Sequence, residues 1–331
     1  MPGFVNSHVH FLSVLRRGVE DDLPLEQWLG SLPWFTPART VVPLHQLASK
    51  EELAAVYRLV CLEMIKAGIT CHSAGTGLLR ERYESGLRGF CAFLVTDEVG
   101  DYKSVLQCVQ KNYSDRFRFG LGPWAPVVPE NTLLEVKKVA ERHNLKIHMH
   151  VAESRREIRE IKRKYRCDRS IEYLDRLGLL SPKLVAAHCI HVSSREMDLM
   201  QVKRLGIAHC PSSNAKLKDG IAPLVDFFRA KILLGLGSDG PATNNCIDMF
   251  QEMKFVYLLQ RAAHCDPTVI NAKDVLGMAT IGGAKLLGMD NKIGSIEIGK
   301  RADITIFDAT MGQWQGGGFF TTLSENSSII V

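Results

Sequence analysis

The feature that most constrains this chain is a rhythm. Short apolar, β-rich runs alternate with helical stretches along most of its length. Eight such runs are read, at 4–10, 68–74, 89–96, 117–122, 146–152, 184–192, 206–211 and 231–238. Between them, residues 51–66, 132–143, 155–164 and 194–204 carry apolar side chains at three- and four-residue spacing, the period of an amphipathic helix. Strands alternating with helices build right-handed βαβ units and a buried parallel sheet. Eight repeats within roughly 240 residues match a (β/α)8 barrel. A doubly wound sheet is the competitor, and it lacks support because no G-x-G-x-x-G follows the first strand. Beyond the barrel, 272–287 reads as a further helix. Residues 296–307 (IEIGKRADITIF) read as a hairpin with Gly299 and Lys300 near its turn, and 312–331 as a loose tail containing Gly316, Gly317 and Gly318. The expected division is a barrel over 1–290, a small β-domain remnant over 291–310 and the tail over 311–331.

Composition removes several alternatives. Hydrophobic residues are 46% of the 331, enough for a core and too many for a disordered chain. The 41 basic and 36 acidic residues leave a charge of +5, a small, dispersed excess that argues against a nucleic-acid partner. No run of about eighteen apolar residues exists, so no membrane span is expected. Met1-Pro2-Gly3-Phe4 lacks the basic and apolar regions of a secretory signal. Nine cysteines with no C-x-x-C read as reduced thiols, and a cytoplasmic location is the expectation.

In a barrel, chemistry gathers at the C-terminal ends of the strands. His8 and His10 close the first run, and their i, i+2 spacing turns both imidazoles to one side. His148 and His150 repeat that spacing on the fifth. His188 and His191 sit near the end of the sixth, His209 at the end of the seventh and Asp239 just past the eighth, so seven of the eleven histidines lie on these ends. A single strand histidine is more often a hydrogen-bonded core residue, and His72, alone on the second run, is read that way. The clustered set reads as a metal site instead. Three imidazoles and a carboxylate suit one divalent ion, zinc in first place with iron as the alternative. Such an ion keeps a position for water and lowers its pKa to about 7. The fourth run (FRFGLG) has neither lysine nor carboxylate to bridge a second ion. Spacing leaves the choice between His148 and His150 open. Glu153, three residues after His150, is the candidate for proton transfer, with a helix-N-terminal glutamate as the structural reading beside it. His188 is a candidate to meet charge developing on the attacked atom.

Six segments in order are similar to the amidohydrolase superfamily, in its deaminase and triazine-hydrolase branch. They are PGFVNSHVH (2–10), HVAES (150–154), AAHC (186–189), AHCPSSNAKL (208–217), GLGSDGPATNN (235–245) and IGSIEIGKRADITIFD (293–308). The resemblance implies a (β/α)8 barrel, one zinc or iron ion, and hydrolytic removal of an amino or similar group from a ring carbon. It implies His8, His10, His150 and Asp239 as ligands, choosing His150 over His148. It also implies Glu153 as proton shuttle, His188 as polarising group and a share in proton transfer for Asp239. Homodimerisation is an expectation from the resemblance alone.

The chain departs from that pattern in three places. Trp124, in Gly122-Pro123-Trp124-Ala125-Pro126, occupies the slot where nucleoside-acting members carry a histidine. Trp28-Leu29 is followed by Leu32-Pro33-Trp34-Phe35 with no carboxylate for a ribose. Both departures lower nucleosides as substrates and favour a planar heterocyclic amine in a flat aromatic pocket, with Trp34, Trp124 and Asn214 as candidate contacts. The family's N-terminal small-domain strands are not seen before residue 2, so Ile296, Ile298, Ile304 and Ile306 are expected to lose cover. A nucleoside-type deaminase and a non-catalytic, ligand-binding barrel are the rival readings.

Overall fold

A computed structural model describes residues 1–31, 48–75 and 77–307. Its centre is the expected cylinder. The strands are β1 (Phe4–Asn6), β2 (Ile69–Gly75), β3 (Arg88–Val95), β4 (Phe117–Pro123), β5 (Lys146–Val151), β6 (Leu184–His188), β7 (Gly206–His209) and β8 (Leu233–Leu236). They pair in parallel in that order. The seam between β8 and β1 is closed by Ser7 N–H donating to Leu236 O (2.8 Å) and by a parallel bridge between Val9 and Asp239. Such strands are covered on both faces, which is why β6 is buried at every position and its sequence shows no polar alternation.

Local signals set the helices. Ser49 and Ser193 form capping boxes with Glu52 and Glu196 at the starts of Lys50–Lys66 and Ser194–Lys203. Ser154 caps Arg155–Tyr165. Asn144, at φ 54°, ends Glu130–His143 in the left-handed conformation that asparagine tolerates. Residues 272–287 are helical as expected, but a π turn, Met278–Gly282, separates Ala272–Gly277 from Gly283–Leu286. This last helix closes the N-terminal end of the barrel. A Cβ on Gly235 would collide with Leu286 and Ser7, so only glycine lets the helix approach β8 so closely.

Two expectations change. The runs overshoot the strands: β1 stops at Asn6, and His8 and His10 lie beyond it because the backbone there turns across to Leu236 and Asp239. The hairpin at 296–307 does not form among the described residues. Its only ladder contact is an antiparallel bridge from Ile304 to Pro2. The segment is held by other means. Arg88 donates twice to the Asp303 carboxylate (2.9 and 3.2 Å), and Phe307 packs on Phe4 and Phe250. Ile298 and Ile306 stand in solvent. The tail from 308 onward, and Trp34 with Phe35, lie outside the described residues. Among the described residues no helix is long and apolar enough to cross a membrane.

Candidate metal centre

Four strand ends bring one donor set together. His10 Nε2 is 3.2 Å from His150 Nε2 and 3.3 Å from Asp239 Oδ1, and His8 Nε2 is 3.4 Å from the same oxygen. His8, His10 and His150 form one group of ligand atoms within 4.8 Å of one another, and His8, His188 and Asp239 form a second. These spacings have a simple meaning. Four ligands about 2.0–2.1 Å from a tetrahedral ion lie about 3.4 Å from one another. The three separations in this structure fall at that edge length. In addition, His8 Nε2 and His188 Nε2 are buried without a well-formed hydrogen bond, each meeting only a carboxylate oxygen at 3.4 Å. An orphaned buried nitrogen costs about 1–3 kcal/mol, so these two atoms ask for something between them. The donor set therefore fits a divalent cation.

Each donor is aimed by a partner behind it. His150 Nδ1 donates to Trp124 O (2.6 Å), which leaves Nε2 as the lone-pair nitrogen facing inward. Asp239 Oδ2 accepts from Ser213 Oγ (2.5 Å) and Thr243 Oγ1 (2.8 Å), which leaves Oδ1 for the imidazoles. His8 Nδ1 meets His148 Nε2 (3.0 Å), and His148 Nδ1 meets Ser73 Oγ (2.8 Å). His148 is thus behind the donor set and His150 within it. The backbone is bent for the purpose. His188 (φ 71°) and Asp239 (φ 55°) adopt left-handed conformations unusual for side chains of their size, at the two strand ends where they must turn inward. Gly237 permits the approach, since a Cβ there would lie 2.9 Å from His8 Cβ.

The electrostatics follow from burial and from the company kept. Burial lowers the His8 pKa to about 4 and holds His10 and His150 below the ordinary histidine value, so all three stay neutral and ready to ligate. Burial alone would raise Asp239, but the imidazoles of His8, His10 and His188 around it carry it well below the usual carboxylate range. Glu153 is pushed up, first by burial, and the nearby Asp239 charge adds to this. His188 moves the other way from its fellow histidines. Burial opposes its charge, but Glu153, Asp239 and the bond from its ring to Asn214 raise it. The two form a pair, His188 Nε2 to Glu153 Oε1, at 3.4 Å.

The remaining expected residues fall into place around this set. His188 Nδ1 donates to Asn214 Oδ1 (2.8 Å), so Asn214, expected on the substrate side, also orients His188. Trp124 is half-buried with its ring 4.5 Å from that of His150 and 5.9 Å from that of His10. His209 is buried with both ring nitrogens unpartnered, while His191 is half-exposed. His72 packs against Phe11 and Phe117 with Arg82 at 3.3 Å, a core position. Ser73, Ser213, Thr243 and Glu157 were not singled out by sequence. Glu157 accepts from the Ala152 and Glu153 amides (2.8 and 3.2 Å) and so fixes the loop that carries Glu153. The only available signal was chemical: a buried aspartate and a buried imidazole each need a donor or acceptor behind them.

Comparison with known proteins supplies the context. The amidohydrolase family model matches residues 1–329. A 5'-deoxyadenosine deaminase of Methanothermobacter thermautotrophicus is 36% identical over 322 residues, 93% of this chain and 73% of that protein. A 5-methylthioadenosine/S-adenosylhomocysteine deaminase of Desulforudis audaxviator is also 36% identical, over 92% of this chain and 72% of its own. Among solved structures, a zinc-bound adenosine deaminase from Xanthomonas campestris superposes with a TM-score of 0.82 at 30% identity, covering 91% of this chain and 70% of that one. With a family match that spans nearly every residue, on the same barrel as its solved relative, this chain belongs to the amidohydrolase family.

Proposed function

We propose that the chain is a metal-dependent aminohydrolase that removes an amino group from a planar nitrogen heterocycle. His8, His10, His150 and Asp239 hold the metal, with zinc favoured over iron. Bound there, the ion supplies a water activated for attack near neutral pH. Glu153 takes the proton that this water gives up as its oxygen joins the ring carbon. Glu153 then delivers the proton to the amino nitrogen as the carbon–nitrogen bond breaks, so that ammonia leaves and the hydroxylated ring carbon becomes the oxo form as its hydroxyl proton moves to the adjacent ring nitrogen. A carboxyl raised by burial suits both halves of that exchange. His188, anchored through Nδ1 by Asn214, turns its other nitrogen toward the site and steadies negative charge on the attacked group. Trp124 offers a flat face beside His150 for a ring to lie against.

The observation that carries this reading is the Glu153–His188 pair at 3.4 Å beside a donor set with the spacing of a tetrahedral ion. A barrel that only binds ligand has no use for a proton carrier there. Within the reading, an adenine-type ring is the first substrate class. The names of the similar proteins favour its 5'-modified nucleosides as a second, against Trp124 and the lack of any Asp or Glu in 32–47. The test is metal analysis of the purified chain together with ammonia release on free purines, adenosine, 5'-deoxyadenosine, pyrimidines and aminotriazines. His8→Ala is expected to lose metal and turnover together. Full activity in His8→Ala rejects the site.

A further inference from the structure

Beyond the residues used so far, the described residues at this end of the barrel include a buried carboxyl oxygen with no hydrogen-bond partner. Asp219 lies in the turn after the helix Pro211–Lys216. Its backbone amide donates to Asn214 O (3.0 Å), so the turn folds back over the residue that orients His188. Leu25 N–H donates to Leu217 O (3.0 Å) and ties the same turn to the helix Leu25–Ser31. Asp219 is only 9% exposed, and its Oδ2 has no hydrogen-bond partner. The neighbouring Lys216 does not help it, being spent on Asp21 and Asn245. Burial and the charges of Glu153, Asp239 and Glu26 all act against ionising its carboxyl.

Burying an unpaired carboxyl among other carboxylates destabilises a fold. Packing gives no reason to keep it, since an alanine or serine would fill the turn. We propose that Asp219 is a specificity-determining residue whose free oxygen receives a hydrogen-bond donor of the substrate, either an N–H of the heterocycle or a hydroxyl of an attached sugar. This rests on the deaminase reading of the site. Burial first, then the charges of Glu153, Asp239 and Glu26, push the Asp219 pKa up to about 9, as befits a carboxyl with no donor paired to it.

The test compares wild type, Asp219→Ala and Asp219→Asn in the metal-loaded chain. The panel is adenine, N-methylated adenine, 5'-deoxyadenosine and its 2',3'-dideoxy analogue, with thermal unfolding alongside. Asp219→Ala is expected to lower kcat/KM about tenfold or more, chiefly through KM, for substrates that carry the donor. It leaves the partner lacking that donor within about twofold, since no pairing is lost there. Loss confined to the base pair of substrates identifies the ring N–H, and loss confined to the nucleoside pair identifies the sugar. Asp219→Asn, which keeps an acceptor oxygen, recovers part of the loss. Unliganded Asp219→Ala is expected to melt higher than wild type. Equal loss on every substrate, or a lower melting temperature without a change in selectivity, overturns the assignment while leaving the deaminase reading intact. A wild-type chain inactive on the whole panel rejects both.

Discussion

The two ends of the barrel solve opposite problems. At the N-terminal end, Val5, Cys71, Phe90, Leu287, Met289 and Ile293 form a cluster at most 2% exposed, and glycines let Leu286 press against β7 and β8. At the C-terminal end, buried nitrogens go unpartnered, like charges sit close together, and His188 and Asp239 hold left-handed backbones. One end gains stability from close contact. The other keeps polar groups unsatisfied where a ligand can satisfy them, at a cost the first end offsets. A barrel that divides its labour this way can change its chemistry at the rim without rebuilding its core.

The sharpest way to break that contrast is at Glu153. Glu153→Gln keeps the shape and removes the proposed proton carrier. Turnover is expected to fall by about 10²–10⁴-fold, the usual range for a lost general acid–base. Metal content and thermal stability should hold or rise, because a buried carboxyl has been replaced by a neutral amide. Steady-state kinetics with metal analysis and a melting curve check it. A variant that retains full turnover removes Glu153 from the chemistry.

The opposite experiment belongs at the other end. Leu286 is 1% exposed and packs with Val185 and Ala208. Leu286→Ala is expected to cost about 3 kcal/mol of unfolding free energy from lost burial and the cavity left behind. The kcat of the folded fraction should stay within about twofold, as the site lies beyond the far ends of the strands. Chemical denaturation and active-site titration separate the two numbers. A large fall in kcat with little loss of stability would mean that the two ends are coupled.

How far the sequence foretold this depends on what kind of signal each part sends. The eight strands and their order are legible, because buried parallel strands are written as short apolar runs between turn residues. Their ends are not. The run at 4–10 stays β-like in composition through His10, yet β1 stops at Asn6, where the amide of Ser7 turns across the seam to Leu236. The hairpin at 296–307 has good alternation and still does not pair with itself, since Ile304 finds Pro2 and Asp303 finds Arg88. For the site, histidines gathered on strand ends drew attention to the residues that the structure brings together. The groups behind them left no trace of that kind. Ser213, Thr243 and Ser73 are ordinary hydroxyl residues until a buried carboxylate or imidazole is seen to need them. Asp219 is one carboxyl in a polar turn until its burial is known.

The mildest expected effect concerns the layer between the two ends. Glu252 is fully buried. It accepts from Ser212 N–H (3.2 Å) and Asn244 Nδ2 (2.6 Å), and so clamps the loops that carry Ser213 and Asp239. Burial pushes its pKa from 4.5 up to about 8, with the Asp239 charge assisting and the hydrogen bonds opposing. Below pH 4.5 the group is protonated in both folded and unfolded chains. Between 4.5 and about 8 only the folded chain holds the proton, so each step upward in pH removes stability, and the loss is complete once pH passes the folded value. Glu157, raised to about 7 by burial, adds to the same trend. Glu252→Gln keeps an acceptor and cannot titrate. From pH 6 to pH 8 wild type is expected to lose about 2 kcal/mol more than this variant. Urea midpoints at the two pH values give the comparison directly. Parallel pH profiles would show that Glu252 is already ionised in the folded protein at pH 6. The clamp between the β7 and β8 loops would then be a charged one, working with the rim's electrostatics instead of against them.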